Sequence, residues 1–285
     1  MCTSLRRDRA AGEVMRFSAI VNPLVLGCLW AVLFSSSAAA LGVCADPDYL
    51  PYSNRAGAGF ENKIAEAVAK ALGETVQYTW ASQRGHGGFP QFLSSTLDAK
   101  KCDVIMSIPY ASPEELTTQP YYISSYVFVF EKSKKFDITS MDSPALKRVK
   151  VGFERETPAE DALKMRGMIP AAMAFDVATD NDQSPALMLD ALKNGKIDVL
   201  ITWQPAIGAF LRGAPDLEVV PVPNERALGP PEQYTFPMSM GVRTGDEALK
   251  KRLDEVIVNH QSELTAILTE GGVISSAPRH GDSQH

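Results

Sequence analysis

Histidine and cysteine are scarce in this chain, and their scarcity removes most catalytic and metal chemistry. The histidines are His86, His260, His280 and His285. His86 sits in a glycine-rich loop with no cysteine or carboxylate at metal-ligand spacing. His260 falls inside a predicted terminal helix, and His280 and His285 fall in a polar tail. No nucleophile elbow, phosphate loop or dinucleotide fingerprint is present. Basic charge is also in deficit, with 28 Lys and Arg against 34 Asp and Glu. After Phe34 no apolar run is long enough to span a bilayer.

What is present begins with an export signal. Arg6, Arg7, Arg9 and Arg16 form a basic start, residues 17–34 are mostly apolar, and SSSAAA at 35–40 ends in small residues. This layout predicts a secretory signal peptide over residues 1–40, cleaved after Ala40 and leaving a periplasmic protein with no membrane span. A membrane anchor is the alternative, and Asn22 and Pro23 interrupt the apolar run against it. Met15 serves equally well as a start, because 15–40 is a complete signal by itself. The first forty residues carry those four arginines against Asp8 and Glu13, so the remainder holds 24 basic and 32 acidic residues, a net charge of −8. An acidic exported protein is poorly suited to nucleic acid or anionic membrane. Cys2 and Cys28 leave with the signal, and Cys44 and Cys102 remain. In an oxidising compartment they predict one disulfide, closing a loop of roughly sixty residues worth about 4 kcal/mol. Two buried thiols in neighbouring strands are the alternative.

Residues 43–73 read as a strand, a loop rich in aromatics and turn residues, and an amphipathic helix. Phe60, Ile64, Ala67, Val68, Ala71 and Leu72 share one helical face, and Gly73 stands at its C-terminal cap. Further along, strand and helix patterns alternate. Strands are predicted at 76–80, 103–108, 125–131, 149–153, 172–175, 198–202 and 217–222. Helices are predicted at 88–101, from Thr157-Pro158-Ala159-Glu160 (a capping box), from Ser184-Pro185 to Gly195, and at 246–270 before Gly271-Gly272. Such alternation means a mostly parallel α/β sheet. TLDAKKCDVIMSIP at 96–109 is weakly repeated as ALKNGKIDVLITWQP at 191–205. One copy in each half predicts two related lobes. Residues 41–127 plus 237–272 form the first, 128–236 form the second, and 273–285 form a disordered tail.

The segments VCADPDYLPYSN (43–54), GFENKIAEAVAKALG (59–73), VQYTWASQRG (76–85), CDVIMSIP (102–109) and TTQPYYISSYVFV (117–129) resemble a known family. They are similar to the type 2 periplasmic substrate-binding proteins of ABC importers, over nearly all of residues 41–272. Within that group they resemble the MoxJ/XoxJ-type proteins associated with quinoprotein dehydrogenases. VGFERETPAED (151–161) and IDVLITWQPAIGAF (197–210) extend the match more loosely. The resemblance implies an α/β fold of two lobes with a hinge between them. It implies a non-enzymatic accessory protein without a cofactor. The partner it implies is a PQQ-dependent methanol or alcohol dehydrogenase, including lanthanide-dependent ones, with the cytochrome c of the same system as a second partner. The alternative is a transport receptor for a small, weakly charged ligand.

Amino-acid-binding members hold the ligand carboxylate with an arginine after the strand matching 103–108 and its amine with an aspartate after the second-lobe strand. Here those places read PYASPEEL and Trp203-Gln204-Pro205. Glutamates do not replace an arginine fork, so free amino acids are unsuited as ligands. The candidate cleft residues are Asp46, Tyr49, Tyr52 and Asn54 after the first strand, Trp80 and Arg84 after the next, then Ser107, Tyr110, Tyr121, Thr157, Trp203 and Gln204. Each aromatic reads equally as core packing. Thr157 reads also as a plain helix cap, and Arg84 as a solvated loop charge or the partner of an acid in the opposite lobe. Tyr126, Phe128 and Phe130 are assigned to the core. Asp46 and Glu61 as an acid–base pair are set aside, because a D-P turn and a helix first turn explain both.

Overall fold

The computed structural model describes residues 39–113, 115–177, 180, 183–227 and 229–275. The expected signal up to Ala38, and the tail from Ser276 on, lie outside the described residues. In chain order the elements are β1 (Ala40–Ala45), β2 (Asp48–Tyr49), β3 (Ser53–Asn54), α1 (Phe60–Leu72), β4 (Thr75–Trp80) and α2 (Gly88–Ser95). Then come β5 (Val104–Pro109), β6 (Leu116–Thr117), β7 (Tyr122–Glu131), β8 (Val151–Glu154), α3 (Pro158–Met165) and β9 (Met173–Phe175). The last are α4 (Ala186–Lys193), β10 (Val199–Trp203), α5 (Gln204–Leu211), β11 (Leu217–Pro221), β12 (Thr235–Val242) and α6 (Glu247–Glu270).

The main sheet runs β4-β1-β5-β12-β7-β10-β8-β9, with β6 paired to β12 and β11 to β7. β1 is parallel to β4 and β5, and β8 is parallel to β9 and β10. β12 and β7 run antiparallel to their neighbours and join these two parallel groups. This is the mixed α/β sheet with helices that the sequence pattern implies. One core packs α1 and α6 on β1, β5 and β12, through residues such as Ile64, Val104, Met240 and Leu264. Two others lie on opposite faces of β7, with Phe128 and Phe130 in one and Val127 and Val129 in the other. A smaller cluster gathers Phe92, Leu93, Leu97 and Ile105 around Cys44 and Cys102. These cysteines form the expected disulfide, across a Cα separation of 5.5 Å.

The internal repeat has a physical basis. Asp103 accepts the Gly42 N–H at 2.9 Å through its side chain, and its own N–H donates to the Gly42 carbonyl at 2.7 Å. Asp198 does the same with Lys150, at 2.9 and 2.7 Å. In each half, the aspartate of the Asp-Val pair aligns an incoming strand with its parallel neighbour. Helix α1 ends as its glycine predicts, with Gly73 left-handed at φ 74°. At its start Asn62 accepts the N–H groups of Gly59 and Asn54. A side chain on Gly59 would meet the Tyr52 carbonyl at 2.0 Å, so glycine is obligatory there.

Several local expectations fail for identifiable reasons. Helix α2 stops at Ser95 instead of Lys101. Ser94, Ser95 and Thr96 turn their hydroxyls back onto the carbonyls of Gln91 and Phe92, in competition with the helix. The capping box at 157–160 does not form. The Thr157 hydroxyl donates to the Glu154 carbonyl at 2.6 Å, and Glu160 accepts the Glu156 N–H at 2.7 Å. Pro158 does open the helix. β12, the β2–β3 hairpin and α5 go unread in the sequence, since Pro51, Pro205 and Pro237 disguise them. Replacing Asp198 with alanine is expected to lower stability by about 1–2 kcal/mol, and Asp103→Ala to act similarly, because each removes a side-chain acceptor from a strand-end N–H. Urea unfolding midpoints at unchanged slope check both.

Candidate functional site

The strand ends converge on a cavity of about 430 Å³, lined by Tyr49, Tyr52, Pro109, Tyr126, Glu154, Glu156, Thr157, Pro158, Trp203, Phe236 and Met238. It lies where parallel strands β5, β8 and β10 finish, the usual ligand position in α/β sheets. A second cavity of about 700 Å³ shares Tyr49 and Glu156 and adds Gln83, Arg84, His86 and Phe89. Of the residues expected from sequence, Tyr49, Tyr52, Thr157 and Trp203 line the first, and Tyr49 and Arg84 the second. Asp46, Asn54, Trp80, Ser107, Tyr110, Tyr121 and Gln204 line neither.

The loop carrying Tyr49 and Tyr52 is held from beneath. Asp46 accepts the N–H groups of Asp48 and Gln83, at 2.9 and 2.8 Å, and the Ser82 hydroxyl. Its carbonyl accepts the Ser53 hydroxyl. Buried and acceptor-saturated, Asp46 is a loop staple. Asn54 accepts the Ala58 N–H at 2.9 Å and shapes the same turn. Tyr49 packs on Tyr52 with ring centroids 4.7 Å apart, and Tyr52 packs on Phe60 of α1. Tyr126, Trp203 and Phe236 form a mutually tilted group opposite, with centroids 5.4 to 6.4 Å apart.

Arg84 is buried, so it is not a solvated loop charge. Its guanidinium lies 4.2 Å from the Tyr49 ring centre. It donates to the carbonyls of Asp48 at 2.6 Å, Gln183 at 2.8 Å and Asp180 at 3.3 Å. It therefore ties the β1 loop to the segment before α4 through backbone oxygens. Trp80 stacks on Tyr78 at 4.5 Å under Arg55. Ser107 meets the hydroxyls of Tyr121 at 3.2 Å and Tyr122 at 3.3 Å, and Tyr121 donates onward to the Met106 carbonyl. Tyr121 is thus a core residue. The Tyr110 N–H donates to the Pro237 carbonyl, which pins β5 to β12. Gln204 is buried, donates to the Gly272 carbonyl at 2.9 Å and accepts the Ile274 N–H at 2.8 Å. Gly208 lies against Gly272 so closely that a Cβ there would meet the Gly272 carbonyl at 2.2 Å.

Two buried glutamates bear on the site: Glu61, weighed and set aside in the sequence, and Glu154, unnoticed there. Glu154 ends β8 in the cavity wall, where burial pushes its carboxyl up to about 7 against a hydrogen bond from Thr202. Burial likewise raises Glu61 in α1 to about 7, opposed by a hydrogen bond from Ser107 and reinforced by Asp46. Desolvation raises the hydroxyls of Tyr49, Tyr52 and Tyr126 as well, and the Glu154 charge adds to each. The tyrosines therefore remain neutral at physiological pH. Glu154 was legible in principle, as a carboxylate at the C-terminal end of a buried strand. Tyr126 is both core and cavity wall, which its place in a strand concealed. Among the described residues no helix is long and apolar enough to cross a membrane, and no group of three or more metal-ligating side chains is assembled.

Raised carboxyls carry a definite pH signature. The folded protein holds Glu154 and Glu61 protonated over a range where the unfolded chain has released those protons. Stability is greatest below the unfolded carboxyl value and falls as pH rises through about 4.5 to 7. Glu154→Gln removes one penalty while retaining an acceptor for Thr202. It is expected to raise stability at pH 8 by about 1–3 kcal/mol and to change it little at pH 4.5. Denaturant unfolding at the two pH values checks this, and an equal effect at both would contradict it.

Comparison with known proteins bears on this geometry. Residues 41–269 match the family model described as bacterial extracellular solute-binding proteins, family 3. The chain is 31% identical to "Protein MoxJ" of Methylorubrum extorquens AM1, over 94% of this chain and 96% of that one. The crystal structure of periplasmic binding protein XoxJ from Methylobacterium extorquens AM1 superposes with a TM-score of 0.65, at 31% identity, covering 84% of this chain and 100% of the other. That of MxaJ from Methlophaga aminisulfidivorans MPT gives a TM-score of 0.71 at 24% identity, covers 83% and 100%, and speaks for the fold. A curled α/β sheet with its cavity at the strand ends, matched along nearly its whole length, places this chain in family 3 of the bacterial extracellular solute-binding proteins, among the MoxJ-type members.

Proposed function

We propose that this protein is a periplasmic, non-enzymatic accessory factor of a PQQ-dependent methanol or alcohol dehydrogenase system, including lanthanide-dependent ones. It receives the dehydrogenase, or a segment of it, in the aromatic cleft, with the cytochrome c of that system as a second partner. The observation that carries this reading is the cavity wall, where Tyr49, Tyr52, Tyr126, Trp203 and Phe236 converge. Large aromatics with few charge clamps suit a protein anchor. The choice of dehydrogenase rests on the resemblance to MoxJ-type proteins. We take residues 41–127 with 237–272 as one lobe and 128–236 as the other, after export and removal of residues 1–40. The core clusters support this division, since Val104 and Leu264 pack in one group and Phe153 and Val199 in another.

A second reading, a transport receptor for a small ligand, is favoured by the family itself and by a cavity of metabolite size. Free amino acids do not suit it. Where amino-acid binders place an arginine after Ile108, this cavity has Pro109, and no arginine or lysine lines it.

Two measurements separate the readings. Wild-type protein is expected to bind the purified dehydrogenase, and Tyr52→Leu and Trp203→Leu to bind it about thirtyfold more weakly, roughly 2 kcal/mol, with circular dichroism unchanged. No binding by wild type to the apo or cofactor-loaded enzyme would sink the accessory reading. In a thermal-shift screen the free amino acids are expected to give no saturable shift. A ligand at a hundred times its Kd stabilises by about 2.7 kcal/mol, so a real ligand is readily seen and would return the receptor reading to first place.

A further inference from the structure

The cavity wall is one-sided in its charge. Glu154 and Glu156 line it, and no lysine, arginine or histidine does. Glu154 is only 4% exposed, among the described residues it has no ion pair, and the Thr202 hydroxyl reaches it at a long 3.4 Å. A buried carboxyl so weakly compensated is costly in an empty cavity. Around it stand the ring faces and edges of five aromatic side chains. Such walls attract a diffuse, weakly hydrated cation, whose charge the ring quadrupoles and a single carboxylate together satisfy. They repel an anion. They also suit a hard metal ion poorly, because it demands a full shell of oxygen ligands.

We propose that this cavity is a site for an alkylammonium group, held between Glu154 and the faces of Tyr52, Tyr126 and Trp203. The site stands whether the cation belongs to a free amine or to a lysine side chain of a protein partner, and so does not depend on the dehydrogenase. It also agrees with rejection of free amino acids, whose carboxylates Glu154 and Glu156 repel. Position reinforces the assignment. Thr157 and Pro158 open α3 beside Glu154, a helix start that ordinarily favours an anion. The backbone carbonyl of Glu154 accepts the Thr157 hydroxyl, and Glu160 accepts the Glu156 N–H, so that helix start already has acceptors from within the chain.

Binding is linked to protons. The groups facing Glu154 are Tyr49 and Tyr52 from the β1 loop, Tyr126 from β7, Thr202 from β10 and Thr157 from α3. Arg84 lies over the Tyr49 ring, and Arg155, next in the chain to Glu154, is paired with Asp176. The tyrosines are neutral across the working range, Glu156 is the second carboxyl of the wall, and Glu154, raised by burial to about 7, titrates between pH 6 and 8. Ammonium binds its ionised form, and affinity rises with pH by about tenfold between 6 and 8.

The test is calorimetric titration of the mature protein at pH 8 with tetramethylammonium, n-butylammonium and Nα-acetyl-lysine N-methylamide. The norleucine analogue of the last, which lacks the charge, is the control. Saturable binding of the charged probes, about tenfold weaker at pH 6 and at least tenfold weaker in Glu154→Gln, is the expected result. Binding of all three assigns the site to free amines as well, and binding of the lysine amide alone assigns it to a partner's side chain. Trp203→Leu, which keeps the cavity apolar, is expected to weaken the charged probes without improving the norleucine control. No binding by any charged probe overturns the inference, and so does equal binding of norleucine amide or an unchanged affinity in folded Glu154→Gln. Wild type that captures the dehydrogenase but binds no ammonium probe overturns this inference alone and leaves the accessory reading intact.

Discussion

Strand β7 hydrogen-bonds to β12 through residues 122–125, and to β10 and β11 through residues 126–131. One chain segment, antiparallel to all its neighbours, thus links the two halves of the sheet, and everything else is arranged around that double duty. Its alternation sorts the side chains. Tyr126, Phe128 and Phe130 enter one core, Val127 and Val129 enter another, and Tyr122 lies in the α1–α6 core. The change of partner falls at Tyr126. Its N–H donates to the Tyr234 carbonyl and its carbonyl accepts the Val222 N–H. The backbone there is saturated by segments from the second half of the chain, and the ring is left at the cavity. The cleft is where a strand cannot keep one set of neighbours.

Much of this was legible because the sequence obeyed simple periodicities. The α1 stripe from Phe60 to Val68, Gly73 at its end and the buried runs of β5 and β10 read directly. The Asp-Val repeat read as more than coincidence, and the matched bonds of Asp103 to Gly42 and Asp198 to Lys150 give the reason. Other features were hidden by chemistry that acts in two ways. Pro237 sits inside β12, a strand paired on both sides, where proline ordinarily argues against a strand. Hydroxyl residues after Phe92 support a helix in composition and end it in practice. Tyr121 and Tyr49 are indistinguishable as loop tyrosines, yet one is sealed in the core and the other faces two cavities. Long-range packing decides between them, and no local pattern carries that information.

The cleft sets two electrostatic arrangements side by side. Arg84, cationic and buried, gives its two terminal nitrogens to three backbone carbonyls and lies over the Tyr49 face, while its Nε has no partner among the described residues. Glu154, anionic when ionised and buried, receives one long bond from Thr202. The shared tyrosine wall stands between a cation anchored on backbone carbonyls and an acid held by one long bond. That difference makes Arg84 a structural tie and leaves Glu154 as the group with capacity to spare.

Gln204 adds a consequence of its own. It follows Trp203 directly, and both ends of its amide are committed to Gly272 and Ile274 near the close of the described chain. Gly208 and Gly272 meet backbone to backbone one helical turn away. Residues 272–274 are therefore a buttress behind the cleft wall. A proteolytic cut or an engineered stop just after α6 would strip the partners from a buried amide adjacent to Trp203. The damage would be felt at the opposite end of the molecule's sequence, in the aromatic wall that the first loop also lines.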